Sequence, residues 1–578
     1  MAVSPAQVSL SRWILRQANA QAVEKLQSEL GVSAFVAAVL VDRGFADPAA
    51  AHAFLHPSLD SLHDPSLLPD YQKAVDILLD ARERQLPIYL HGDYDVDGVT
   101  SAALFDRFLR RAGCVIKTHV PHRMKEGYGI HLDAVEAARE YGAKILLTCD
   151  CGGSALEQID KAKEYGMRVV VTDHHHVGEV WPNADAFVNP HRPDSQYPFP
   201  NLSGAGVVFK LCQGITRDLG WPIEKFQRAF LDLVTLGTVA DVMPLLDENR
   251  IMVKHGLPEL SRTKKIGLRS LLQTAGLTDQ AISGLTSYHV GFQIGPRINA
   301  AGRIDDAAIA LNLLLTEDNI EAMRLANELE RLNFSRREQQ DRIMKEAIDM
   351  VEEQALYKDR LIIVGKEGWH SGLVGIVAGR IREIYHRPAF ILNFDVEKDA
   401  YHGSGRSIPG FHLAEAIRAN PFVVGGGHAK AAGVEIPNAD YESALAQFRA
   451  YALETLSDED LIPTVEITSE VAASEVTLES IRQLKQLEPF GEGNPTPLFC
   501  SRKLTIEQIK PTSKPEHAMV TTRSDEGTAQ VLKGFGLGER IAQFSVGDTV
   551  DAAYKMEIDE FRGQERISLI LRDIKLAD

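Results

Sequence analysis

PIYLHGDYDVDG (87–98) is the stretch on which the fold turns. A short apolar run stops at a Gly-Asp step. A helix-period segment follows, with Leu104, Phe105, Phe108, Leu109 and Ala112 on one face. The unit recurs at AKILLTCD (143–150), followed by GGSALEQIDKAKEYG, and a third begins at MRVVVTDHHH (167–176). Strands alternating with helices at this spacing predict a parallel sheet with crossover helices. The carboxyl ends of such strands form the ligand crevice of an open α/β sheet. Here those ends carry Asp and His.

Outward from this core the pattern changes four times. Residues 1–75 read as a helical extension with Pro-punctuated ends such as His56-Pro57 and Asp64-Pro65. The strand-helix units occupy 76–315. Glu317 to Tyr357 runs without Pro or Gly, which predicts one long helix or two nearly continuous ones, a connector over 316–358. A second, smaller α/β block opens at RLIIVGKEGW (360–369) and is assigned to 359–455. From 464 to 578, KLTIEQI, GDTVDAAYKMEI and RISLILRDI are alternating strands split by polar turns, which suggests a small barrel of the OB type. The expected architecture is therefore α/β and multidomain, ending in an OB-like β-barrel.

At 578 residues the chain exceeds one core and should split into two to four domains. Its net charge of −18 argues against gripping nucleic acid by bulk positive potential. It leaves nucleic acid open as a substrate, because bound cations and a few arginines make a local positive trough. The last module, with 12 Lys/Arg against 13 Asp/Glu over 501–578, is near neutral, so the acidity lies elsewhere. No apolar run is long enough to span a membrane. MAVSPAQVSLSRWILRQ lacks the apolar centre of a secretory signal, and five irregularly spaced cysteines suggest no disulfide framework. The expected compartment is the cytoplasm.

In HGDYDVDG (91–98), His91, Asp95 and Asp97 form H-x-x-x-D-x-D, and Asp93 adds another carboxylate. Such groups at one strand end repel each other unless cations neutralise them. A helix cap explains one Asp, but not three with a His. Thr148-Cys149-Asp150-Cys151-Gly152 places Asp150 at the equivalent point of another strand. Its C-x-C lacks the second pair of a zinc site, so the cysteines read as small residues packed beside the carboxylate. The third strand ends in Thr172-Asp173-His174-His175-His176, where imidazole can bind metal while Asp orients it. LVTLGTVADVMPL (233–245) buries Asp241 in an apolar segment, costly for an unpaired carboxylate. Mixed carboxylate and imidazole ligands suit Mn²⁺ better than an all-oxygen Mg²⁺ site. A carboxylate shared by two ions would let them activate water and steady a leaving oxygen.

The order H-x-x-x-D-x-D, strand-end D, D-H-H and a later G-T-V-A-D resembles the DHH phosphoesterase superfamily. GGGHAKAAG (425–433) is similar to the G-G-G-H signature of the DHHA1 domain. VPHRMKEGYG (120–129), GPRINAAGR (295–303) and GSGRS (403–407) narrow the resemblance to the RecJ family of bacterial single-strand-specific 5′→3′ exonucleases, over nearly the whole chain. The resemblance implies two divalent ions, Mn²⁺ preferred or Mg²⁺. One would be held by Asp95 and Asp150 with His91 nearby, the other by Asp97, Asp150, His174 and Asp241, so that Asp150 bridges. His175 would face the scissile phosphate and Asp173 would orient a histidine. Asp93 and His176 are left as supporting residues.

The resemblance also implies phosphate contacts from Arg123, from Arg297 or Arg303, and from Ser404, Arg406 and His428, with Tyr128 stacking a base. By themselves, isolated arginines are usually solvated surface, and GGGHAKAAG would be a tight strand-to-helix turn. The implied activity is hydrolysis of single-stranded DNA from its 5′ end to mononucleotides, in repair and recombination. The implied partners are a single-stranded DNA-binding protein and a helicase, around a monomeric enzyme. A small-substrate relative that cleaves dinucleotides, oligoribonucleotides or pyrophosphate would not need the barrel. A non-catalytic replication scaffold would not keep every metal-ligand position filled.

Overall fold

The computed structural model describes residues 11–577 apart from 124, 125, 128, 562 and 563. The chain forms two compact units. One comprises Ala53–Ser335 with Leu487–Pro495, and the other Met1–His52, Arg336–Gln486 and Thr496–Asp578.

The first unit is built on five parallel strands, Ile88–His91, Ile116–His119, Ile145–Cys149, Arg168–Thr172 and Ala186–Val188. Their spatial order is second, first, third, fourth, fifth. This doubly wound order reverses direction between the first and third strands, and ligands bind at such a switch point. The central strands are buried on both faces, hence their near-continuous apolar sequence. Register aligns their ends: His91 lies opposite Thr148, and Cys149 opposite Thr172. Asp150 and Asp173 therefore each follow directly on a paired residue of neighbouring strands. The helices Val96–Arg111 and Gly204–Asp218 pack on the sheet, and Ile223–Ala240 packs on those two helices. They lock through Phe108, whose ring meets Phe226 edge-on at 5.7 Å, and through Phe209, 4.8 Å from Phe226.

The second unit holds two sheets and a barrel. A five-stranded sheet runs in the order Val424–Gly427, Ala431–Pro437, Ala400–Arg406, Ala389–Asp395, Ile362–Glu367, with only the last two parallel. Strands Phe499–Pro511, His517–Arg523, Ala529–Phe535, Gln564–Leu576 and Thr549–Phe561 pair in a ring, the last returning to the first. One seam is joined only at Leu532 and Lys533, opposite Leu569 and Ile570, so the ring is partly open, as in an OB fold. The connector is one helix, Asn319–Glu353, and the boundary between units falls within it. No helix among the described residues is long and apolar enough to cross a membrane.

Two readings of local sequence are corrected. The N-terminal extension is not all helix. Between the undescribed first ten residues and the helices Ala20–Leu30, Ala34–Asp42 and Pro48–Leu55, Arg12–Leu15 forms a strand parallel to Thr464–Ile467. Trp13 Nε1 anchors it by donating to Asp573 at 2.7 Å. A pairing that spans most of the chain leaves no trace in local periodicity. GGGHAKAAG is a strand-to-strand hairpin, not a strand-to-helix turn. A Cβ on Gly425 would lie 2.3 Å from the Gly433 carbonyl across the pair, so a side chain there is excluded.

Candidate metal centre

Of the three alternating aspartates, only Asp95 acts as a cap, its Oδ1 accepting from Gly98 N at 3.0 Å. Asp97, the second residue of the helix, is turned inward and 1% exposed. It accepts from Gly204 N at 2.5 Å and Ala205 N at 3.0 Å, the first amides of helix Gly204–Asp218. A helix start donates unpaired amides and positive partial charge, which favours a carboxylate there. A Cβ on Gly204 would meet Asp150 Oδ1 at 2.6 Å, so the approach needs glycine. Asp150 adopts φ 59, a left-handed conformation that Asp tolerates better than most residues.

The Asp-His-His run divides its labour. Asp173 accepts from Gly153 N at 2.8 Å, from the backbone amides of His174 and His175, and from His175 Nδ1 at 2.8 Å. Burial opposes its ionisation, but the His175 contact and charge outweigh burial and lower its pKa. Burial likewise opposes protonation of His175. The Asp173 hydrogen bond and the charges of Asp173, Asp241 and Asp97 prevail, raising it to about 9. His174 points the other way: its Nε2 lies 3.0 Å from Asp150, 3.6 Å from Asp241 and 3.8 Å from Asp97. Burial, then the His175 charge, lowers His174 to about 4, so its ring is neutral. His91, lowered to about 3 by burial and then His119, donates Nε2–H to the Gly129 carbonyl at 3.2 Å. That leaves the lone pair on Nδ1.

Three groups bring potential ligand atoms within 4.8 Å of one another: Asp93, Asp95 and Asp150; Asp97, His174 and Asp241; and Asp150, His174 and His175. Asp150 is in two of them, and His91 is in none. Burial, then neighbouring carboxylates, pushes Asp97 up to about 7 and Asp93 and Asp241 up to about 8, with Asp150 also raised well above the usual range. Buried Asp93 Oδ1, Asp150 Oδ1, His91 Nδ1 and His174 Nε2 make no hydrogen bond among the described residues. Orphaned ligand atoms at the convergence of five carboxylates fit divalent cations, which would satisfy both the lone pairs and the excess charge. The donors are oxygen and imidazole. Cys149 and Cys151 are fully buried thiols pushed up by burial and by neighbouring charge, and Cys149 packs under Gly92. They supply packing and no thiolate.

Beside these groups opens a cavity of about 250 Å³, lined by Asp93, Tyr94, Asp95, Arg123, His175 and Arg303, together with Ala240, Asn299 and Gly302. Arg123 lies 5.1 Å over the Tyr94 ring. Arg297 is a correction to the expected phosphate contacts. It is 5% exposed, paired with Glu330, and donates to the Gln293 carbonyl at 2.5 Å, so its guanidinium is engaged inside the fold. Of the two arginines in GPRINAAGR, only Arg303 reaches the cavity. Tyr128 lies outside the described residues. In the second unit, Ser404 lines a cleft of about 380 Å³ with His402, Gly425 and Glu435. Arg406 is half-buried and donates to the Gly405 carbonyl at 2.8 Å, while His428 pairs through its backbone with Ala431. Sequence reasoning set Asp93 aside and passed over Tyr94, Asn299 and the Ser203-Gly204-Ala205 helix start. Asp93 was visible in the alternation D-Y-D-V-D, and the helix start in its S-G-A-G.

A doubly wound sheet whose switch point gathers carboxylates and imidazoles defines a metal-dependent phosphoesterase class, and family models agree. The DHH family N-terminal domain matches residues 87–238, the DHHA1 domain 358–458 and the RecJ OB domain 467–573. The single-stranded-DNA-specific exonuclease RecJ of Bacillus subtilis is 35% identical over 573 residues, 99% of this chain and 71% of that protein. Crystal structures of RecJ from Thermus thermophilus with Mn²⁺ and with Mg²⁺ superpose with TM-scores of 0.84 and 0.78, at 28% and 27% identity. Each covers 98% of this chain, and 80% and 79% of the respective crystallised chain. The chain belongs to the RecJ family.

Proposed function

We propose that this protein is a metal-dependent exonuclease that hydrolyses single-stranded DNA from the 5′ end to mononucleotides, serving DNA repair and recombination. The observation that carries it is the convergence of Asp93, Asp95, Asp97, Asp150, His174 and Asp241 at the sheet's switch point, beside a cavity with two arginines. Match over nearly the full length, barrel included, favours a polymer substrate over a dinucleotide.

Asp95 and Asp150 would hold one ion, joined by Asp93 and with His91 nearby. Asp97, Asp150, His174 and Asp241 would hold the other. Two divalent ions, Mn²⁺ preferred or Mg²⁺, would supply an activated water and neutralise charge on the phosphate when bound. The chain does the rest. Asp173 keeps His175 protonated over the cavity, where it stabilises charge on the phosphate and donates a proton to the leaving oxygen. Arg123 and Arg303, which line the cavity, seat the phosphate through forked donors, and the family resemblance gives Tyr128 the stacking of a base. Ser404, Arg406 and His428 are further contacts to phosphate, as the family resemblance implies. We place the enzyme in the cytoplasm as a monomer, acting with a helicase and a single-stranded DNA-binding protein.

The test is incubation of 5′- and 3′-labelled single strands and duplexes with Mn²⁺ or Mg²⁺. The expected outcome is immediate mononucleotide release from the 5′ label and progressive shortening of the 3′-labelled strand, with duplex resistant. Internal cuts, or equal attack on duplex, would refute it.

A further inference from the structure

The cavity accounts for a phosphate and, beyond the one base given to Tyr128, leaves the bases of a strand without a seat. Helix Gly295–Ile304 lends Asn299, Gly302 and Arg303 to that cavity. Directly before it the chain passes through a π-helical segment, Val290–Ile294, a distortion that recurs at functional sites. Here Tyr288 and Phe292 stand 60% and 65% exposed, their rings stacked at 5.0 Å and 29°. Keeping two large rings in water forgoes the burial that makes aromatics worth having in a core.

The segment that presents them is firmly held. Ser287 Oγ donates to the Phe490 carbonyl, and Gly291 and Gly295 back onto Val239 and Ala240. Ala240 lines the cavity and precedes Asp241, so the rings and the metal centre share one support. From Phe292 to Asn299 a helical rise of 1.5 Å per residue gives roughly 10 Å, about three nucleotides of stacked strand.

We propose that Tyr288 and Phe292 form a stacking platform for bases of the single strand a few nucleotides 3′ of the reacting phosphate. The inference rests on the exonuclease reading above and adds the seat for the bases. Continuity with the phosphate cavity is what selects a nucleobase as the occupant. Every base offers a π-face, so the platform grips the strand without reading sequence.

The test uses the full-length protein and single strands with a non-hydrolysable first linkage, carrying 2-aminopurine at one of the first six positions. In the wild type, fluorescence should fall sharply at one or two adjacent internal positions. Tyr288→Ala with Phe292→Leu should abolish that local quenching and weaken binding about tenfold, the scale of losing a stacked base. Phe292→Tyr should restore the quenching. An abasic site at the same position should weaken the wild type and leave the double variant indifferent. If the wild type neither binds nor cuts single strands, the exonuclease reading itself falls. If it does both, but the double variant keeps the wild-type quenching profile and affinity, the platform is refuted and the pair belongs to a protein contact instead.

Discussion

The switch point of the parallel sheet and the C-terminal barrel treat charge in opposite ways. In the barrel, charged groups answer one another within the fold: Arg502 meets Asp551 at 2.7 Å, Lys533 meets Asp559 at 3.2 Å, and Arg523 meets Glu507. At the switch point five carboxylates crowd together, and buried oxygens on Asp93 and Asp150 are left without a hydrogen bond. A folded chain tolerates such frustration where a ligand is meant to relieve it. The barrel's charges are offset in pairs, whereas the carboxylates of the switch point face one another. Changes in the two should therefore have different signatures.

The largest effect is expected at Asp150. Asp150→Asn keeps the size and the left-handed backbone while removing the charge common to two of the three ligand groups. Cleavage should drop far below a tenth of wild-type turnover, while the metal-free variant melts no lower than the metal-free parent. Substantial turnover in a folded variant would mean that Asp150 does not serve both ions. Next in size is metal exchange. Chelated protein should be inactive and recover better with Mn²⁺ than with Zn²⁺ or Ca²⁺, because no thiolate is on offer and Ca²⁺ seeks more oxygens. Activity persisting in excess chelator would reject metal catalysis.

The barrel should yield a graded loss. Deletion must begin after Pro495, since Leu487–Pro495 belongs with the first unit, where Leu245 N donates to the Glu492 carbonyl at 2.8 Å. Removing 496–578 should raise KM for long single strands by far more than for very short ones, each stacked base being worth about 1–3 kcal/mol. Equal losses at every length in a folded truncation would show that the barrel does not extend the DNA track.

The smallest effect is a pH slope. In metal-free protein Asp93, Asp97, Asp241 and His175 have raised folded pKa values, so the folded chain binds more protons than the unfolded chain. Unfolding then releases protons, and stability should fall as pH rises from about 6.5 to 9. His91 and His174, lowered in the fold, oppose it only near the lower end, where the unfolded imidazoles are still partly protonated, and are neutral in both states above about pH 7.5. Saturating Mn²⁺ should flatten the slope, because the ion replaces the protons. Thermal melts across pH with and without metal measure it. A metal-free melting temperature that climbs over this window would contradict the assigned shifts.

Much of the candidate centre was legible because Asp150 and His174 follow strands, where a period change in the sequence marks the place. Asp150, His174 and Asp241 converge as that reading predicts. What escaped depended on geometry that local pattern lacks. Arg297 and Arg303 belong to one motif, yet six residues on a helix put them on different sides, one buried against Glu330 and the other at the cavity. GPRINAAGR had not been read as helix, so nothing separated them. Asp93 looked redundant beside Asp95 until the cap claimed one Asp95 oxygen. The strand Arg12–Leu15 needed a partner far along the chain.

The central claim is a two-ion centre bridged by Asp150. Its most direct test is Mn²⁺ titration of the chelated protein, combining calorimetry with electron paramagnetic resonance. The account predicts two ions per chain and a spin-coupled signal at saturation, with Asp150→Asn losing the coupling and weakening both sites. A single ion per chain, or two uncoupled ions whose affinities ignore Asp150→Asn, would contradict it.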